Sequence, residues 1–245
     1  MNQKDLKLNL LRGTKAKVRL GEEIYFTPVD LDFIVDYGYE QFMKDINVFF
    51  LDLNKLKLNF NSSGDMEEFT PFQIFLWLLK KGEDELVSEW KKNILSFLKI
   101  LTKKDWEYKN AFFFCGDFVL TEDIWFLIRK VLAEELGVKL ELEDDYNFAN
   151  ERAKQFKEKR KAAEEEVQRI KSKKESESDF FDLVSGVASR ANSLNIVNIW
   201  ELSMFQFTQE MKRLNLSETY DFNLRAIIAG ADSKKIKVQH WTTKI

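Results

Sequence analysis

The chain has 245 residues, 44% hydrophobic, 32% charged and 14% aromatic, with a net charge of −3, a balance that suits a globular fold of one large domain or two modest ones. Nine Gly and two Pro are too few turn-formers for an all-β chain, which turns every dozen residues or so. The single cysteine, Cys115, rules out an internal disulfide and a cysteine-based zinc site.

From the N-terminus, Ala16, Val18, Leu20, Ile24 and Phe26 alternate around Gly21-Glu22. The pattern predicts a β-hairpin with a type II′ turn, in which Gly21 supplies positive φ. Thr27-Pro28-Val29-Asp30 and Thr70-Pro71-Phe72-Gln73 each offer a hydroxyl cap, a proline at the first helical position and an acid or amide three residues after the cap. They predict helices opening near Pro28, with a pause at Gly38, and at Pro71. Phe42, Ile46, Phe49, Phe50 and Leu53 continue the first at helical spacing. Residues 61–65 read as a surface loop.

The Pro71 helix is apolar around much of its circumference and is expected to be central. Trp90, Ile94, Phe97, Leu98 and Leu101 mark the next helix, and Phe112 to Leu120, broken at Cys115-Gly116-Asp117, a second hairpin. Thr121-Glu122-Asp123 caps a further helix whose acids favour its positive dipole end, and Gly137 stops it.

Charge then divides the chain. Residues 1–145 carry a net −7, residues 146–175 a net +4, and the remainder none. Ala149, Ala153, Phe156, Arg160, Ala163, Val167 and Ile170 step by fours and threes, a heptad-like seam with one basic interruption. We read an exposed helical arm, with Phe156, Arg160, Val167 and Ile170 as the candidate partner-binding residues. A linker helix packed on its own body is the equal alternative, since amphipathicity shows a buried face without saying against what. Beyond it, Phe180, Val184, Val187, Ala191 and Leu194 suggest one helix, and Ile196, Trp200, Phe207, Met211 and Leu214 another. A short last helix is expected from about Ser217 to a C′ glycine at Gly230. The fold expected is mainly α with one or two small β-hairpins. It divides into a helical body (1–145), a charged arm or linker (146–178) and a C-terminal helical module (179–245).

The residues most enzymes depend on are scarce. His240 is the sole histidine and would have to be the base of any Ser–His or Cys–His mechanism; no GxSxG turn accompanies it. Cys115 lies among four phenylalanines and reads as a buried, inert thiol. There is no GxG and no Gly-Lys-Ser/Thr, so neither a dinucleotide fingerprint nor a Walker loop is present. Glu141, Glu143, Asp144 and Asp145 lack the interleaved glycine of a calcium loop and read as a solvated edge. We expect no catalytic residues, metal or cofactor, although an enzyme built on a carboxylate pair stays open, because spatial pairing is invisible in sequence. A nucleic-acid accessory role also stays open. Lys154, Lys157, Lys159, Arg160 and Lys161 could touch phosphates. Against it, the arm has one aromatic, Phe156, and Glu164 to Glu166 follow at once.

Met1 to Arg12 has no apolar run of a secretory signal, and the charge-free stretch from Phe69 to Leu79 is short of a membrane span. A cytoplasmic, non-enzymatic protein-binding factor is the expectation, with other proteins and a second copy of itself as partners.

Several strings together carry a resemblance: Leu10-Leu11-Arg12-Gly13, Asn150-Glu151-Arg152-Ala153, Ala191-Asn192-Ser193-Leu194-Asn195-Ile196, Trp200-Glu201-Leu202, Ala229-Gly230-Ala231-Asp232 and His240-Trp241. The chain resembles proteins encoded among the tail genes of tailed phages of Gram-positive bacteria, the tail assembly chaperones. The resemblance implies a non-virion helper, in the cytoplasm of an infected or lysogenic host, that coats the tape measure protein before tail-tube assembly. None of these strings is a catalytic motif, so the resemblance assigns no functional residue.

Overall fold

A computed structural model describes residues 3–53, 69–82, 84–138, 179–232, 235–236 and 238–243. These residues form eight α-helices and two small antiparallel sheets, the mainly α, minor β class the composition implies. The loop expected at 61–65 and the charged arm at 146–178, with Phe156, Arg160, Val167 and Ile170, lie outside the described residues.

Helix α1 (Gln3–Leu10) adds to the expected elements and buries Leu6 and Leu10, one turn apart, almost completely. The first hairpin pairs β1 (Val18–Arg19) with β2 (Tyr25–Phe26) in the register Val18 to Phe26 and Arg19 to Tyr25. Its turn therefore holds Gly21, Glu22 and Glu23, and the Leu20 and Gly21 amides both donate to the Ile24 carbonyl. This corrects the expected two-residue turn at Gly21-Glu22. Gly21 is not among the residues with positive φ; a Cβ there would meet the Phe118 ring at 2.3 Å. Close approach, not φ, explains this glycine.

The helix expected from Pro28 begins later. β2 ends at Phe26, and Thr27 to Val29 lie between it and the helix, with the Thr27 amide bonded to the Leu101 carbonyl. Asp30 makes an isolated bridge to Ser203 and is the true N-cap, accepting from the Phe33 amide at 2.9 Å. Helix α2 (Leu31–Tyr37) follows, and α3 (Tyr39–Asn47) starts after the expected pause at Gly38, where φ is 94°. The second Thr-Pro string behaves as expected. Thr70 and Gln73 form a reciprocal capping box with Pro71 at N1 of α4 (Pro71–Lys81).

Helix α5 (Glu85–Thr102) leads into the second sheet: β3 (Glu107–Lys109), β4 (Phe112–Cys115) and β5 (Phe118–Val119), in that order. The β4–β5 hairpin is the one expected, and β3 is an addition. Here the II′-type requirement does apply, because Gly116 has φ 60° while Asp117 is not among the positive-φ residues. The β3–β4 turn places both Asn110 and Ala111 at positive φ, 51° and 72°, the pattern of a type I′ turn.

Helix α6 (Glu122–Leu136) starts after Thr121, whose side chain makes no capping bond, and ends at Gly137 as expected. Trp125 on α6 is the centre of the core. Phe49 stacks on it at 4.5 Å, with Phe75 at 5.4 Å and Phe72 at 5.6 Å, and Phe97 extends the cluster from Phe49. Trp125, Phe49, Phe75 and Phe97 are fully buried. Rings at these tilted and stacked separations gain beyond their area burial.

Helix α7 (Phe180–Arg190) opens on a capping box between Asp179 and Asp182. A short 3₁₀ turn at Ile199–Glu201 ends at Leu202, and Ser203 with Gln206 forms another capping box that opens α8 (Met204–Ile228). Two expectations are corrected here. Trp200 and Phe207 lie on separate elements, and no helix begins at Ser217, because α8 runs unbroken for 25 residues. Gly230 is the C′ residue as expected. Its amide bonds the Ile227 carbonyl and the Ala231 amide bonds that of Ala226, the Schellman pattern.

The described residues of 179–245 share one hydrophobic cluster with the N-terminal elements through Val184, Val187, Ile199, Met204, Phe205 and Phe207. Two hydrogen bonds fix this junction: the Leu31 amide donates to the Leu202 carbonyl, and the Gln206 side-chain amide donates to the Leu11 carbonyl at 2.9 Å. Gly13, at φ 62°, lets the chain turn against that same side chain, where a Cβ would be 2.5 Å from Gln206 Oε1.

Candidate functional site

Among the described residues, no group of three or more His, Cys, Asp or Glu side chains is placed to hold a metal ion. The acidic cluster from Glu141 to Asp145 lies outside them. His240 is exposed in the C-terminal tail, its Nδ1 2.7 Å from the Thr242 hydroxyl and its ring edge against Tyr220. Cys115 is half-buried at the end of β4, and burial pushes its thiol up, away from thiolate, with Lys104 partly opposing. That environment disfavours a nucleophile.

The most developed polar constellation joins α2, α3 and α5. Asp45 is fully buried on the apolar stripe of α3, between Phe42 and Ile46. Its Oδ2 accepts from the Tyr37 hydroxyl at 2.8 Å and its Oδ1 from the Gln41 amide at 2.7 Å. The Tyr37 oxygen also lies 2.6 Å from the Ser96 hydroxyl. Burial raises the Asp45 carboxyl above its ordinary value even though the bonds from Tyr37, Gln41 and Ser96, and the charge of Lys92, pull the other way. Burial likewise raises Tyr37.

An open cavity of about 520 Å³ lies beside it, lined by Lys92, Leu95, Ser96, Lys99, Asp105 and Trp106. Ser96 is the only member of the network on that lining. Burial raises its neighbour Tyr37, so the phenol stays protonated near neutral pH and offers no free base, and the chain's one imidazole, His240, belongs to the C-terminal tail. The network's chemistry is that of a pin: one carboxylate satisfied by donors from its own helix and from α2. Sequence reasoning missed it, although an acid on the stripe Phe42–Ile46–Phe49 is a readable signal, since buried charges are rare unless paired.

A different feature dominates the C-terminal region. Of the seventeen large apolar side chains exposed among the described residues, eight fall in 179–243: Phe181, Leu183, Ile196, Val197, Phe222, Ile228, Val238 and Trp241. Phe181 and Leu183 are exposed on α7 at opposite edges of the buried stripe of Val184 and Val187. Val197, 81% exposed, sits on the turn that Asn195 and Asn198 hold together by side-chain bonds to backbone amides. Asp182 and Arg190 on α7 and Glu201 on the 3₁₀ turn are exposed as well. A concentration of exposed large apolar side chains marks a protein contact more often than a catalytic cleft.

Residues 171–245 match the family model described as YomV second domain, a phage-derived protein family. The matched segment is well under half of the chain, and it begins inside the connector expected at 146–178. No curated protein and no solved structure gives a significant match to the chain. No helix among the described residues is long and apolar enough to cross a membrane.

Proposed function

We propose that this chain is a non-enzymatic protein-binding factor of a phage, and more narrowly a tail assembly chaperone acting on the tape measure protein. The observation that carries the reading is the concentration of exposed apolar side chains in the segment similar to a phage-derived family. Phe181, exposed at one edge of α7, and the turn at Ile196 and Val197 offer apolar anchors. A helical client with anchors at i, i+3, i+4 and i+7 suits such a surface. The charged neighbours Asp182, Arg190 and Glu201 keep the unoccupied surface compatible with water.

Co-expression of the full chain with a phage tape measure protein tests this. The expected result is a soluble complex of fixed stoichiometry on gel filtration, weakened at least tenfold when Phe181 and Val197 are both changed to Ser. A tape measure protein that precipitates to the same extent with and without the chain overturns the client. Binding to no tail component overturns the class.

A further inference from the structure

The distal half of α8 carries a surface separate from the anchors above. From Gln209 to Ile228 no residue of this helix is buried, and Phe222 and Ile228 are 72% and 85% exposed. The C-terminal tail covers one side. Arg213 donates to the carbonyls of Trp241 and Thr243, both at 2.8 Å, and Tyr220 meets the edge of His240. Arg213 and Tyr220 are seven residues apart, two turns, and so share that covered side.

At about 100° per residue, Phe222 lies about 200° around from Tyr220, and Glu218, Asp221, Arg225 and Ile228 fill the arc leading to it. All five are exposed. Glu218 is bridged to Arg190 of α7 at 2.9 Å. Asp221 and Arg225, one turn apart at the middle of this open face, have no side-chain partner among the described residues.

We infer that this face pairs with the same face of a second copy, antiparallel, about a two-fold axis at the level of Asn223. Such an axis leaves a side chain on its own side of the interface and inverts its position along the helix. Asp221 of each copy is thereby brought level with Arg225 of the other, twice, on the same side. On the opposite side the two Phe222 rings face each other, offset by about 3 Å along the axis. The charges are self-complementary in this direction and register; a parallel pairing sets Asp221 against Asp221 and Arg225 against Arg225. An isologous contact needs this self-complementarity, and like charges placed opposite each other suppress the wrong register. A face with self-complementary opposite charges at its middle and an aromatic at its edge matches a second copy better than a membrane, to which it offers one acid for its one unpaired base.

Client binding is read at Phe181 and Val197, so failure of either proposal leaves the other standing. The test uses the full chain and its charge reversals, with mass followed by light scattering across a dilution series. The wild type is expected to dimerise. Asp221→Arg and Arg225→Asp, each alone, should be monomeric at the same concentration, with unchanged circular dichroism and melting temperature. An equimolar mixture of the two should recover the dimer, because the copy carrying the first reversal then sets two bases level with the two acids of the copy carrying the second. Phe222→Ser should weaken association at least tenfold. A wild type that stays monomeric up to its solubility limit overturns the inference, as do single reversals that leave the dimer intact. Reversals that abolish the dimer without recovery on mixing overturn the register.

Discussion

Replacing Glu135 by Gln should stabilise the protein at neutral pH and not at acid pH. Glu135 is 6% exposed on α6, and its Oε1 has no hydrogen-bond partner among the described residues. Burial alone raises its carboxyl from 4.5 to about 8. The folded-state value lies above the unfolded one, so the folded protein holds its proton more tightly. The associated stability is fully present below about pH 4.5 and is lost as the pH rises toward about 8. Within that window the loss approaches ~1.4 kcal/mol per pH unit. Gln keeps the size and the hydrogen-bonding head but does not ionise. The difference in unfolding free energy, Gln variant minus wild type, should therefore grow by about 2–3 kcal/mol between pH 5 and pH 7, and level off above pH 8. Urea unfolding of both proteins at closely spaced pH values measures it, and taking the difference cancels every other titrating group. A difference that stays flat across the window refutes the reasoning and places the carboxylate in contact with water or a cation.

The two Thr-Pro strings should respond differently. Thr70→Ala loses the Gln73 amide bond and the hydroxyl bond to Glu122 and should cost about 0.5–2 kcal/mol in denaturant unfolding. Thr27→Ala should leave the α2 cap untouched because Asp30 provides it, so Asp30→Ala, not Thr27→Ala, should lower the midpoint. Ala111→Gly should raise stability by about 1 kcal/mol, read as a higher melting temperature, because Ala111 holds φ 72°, where a Cβ is penalised. No gain there means that the Ala111 methyl contributes packing of equal size.

The elements that could be read in advance are those decided by neighbours in sequence. Thr70-Pro71 with Gln73, Gly116 in its tight turn, Gly137 and Gly230 beyond their helices, and the apolar period of α4 and α5 all act through bonds spanning three to six residues. Such terms look the same in any fold. Thr27-Pro28 and Thr70-Pro71 show the limit. Their local chemistry is alike, but the Thr27 amide is claimed by Leu101 and Asp30 is drawn to Ser203, so the helix starts three residues later. The start of α8 has the same origin, held by Gln206 reaching Leu11 and by Phe205 and Phe207 entering the shared core; the helix then runs unbroken past Ser217. Glu135 is an ordinary acid in the sequence, and Asp45 shows only its place on an apolar stripe; what sets both apart is their burial, and exclusion of water is a property of several elements packed together. The candidate surfaces divide in the same way. Asp221 and Arg225, one turn apart, are readable as a helical pair. That their face is open depends on where α7 and the C-terminal tail lie against α8, and only the tertiary structure decides this, because the contacts that cover a helix come from residues distant in sequence.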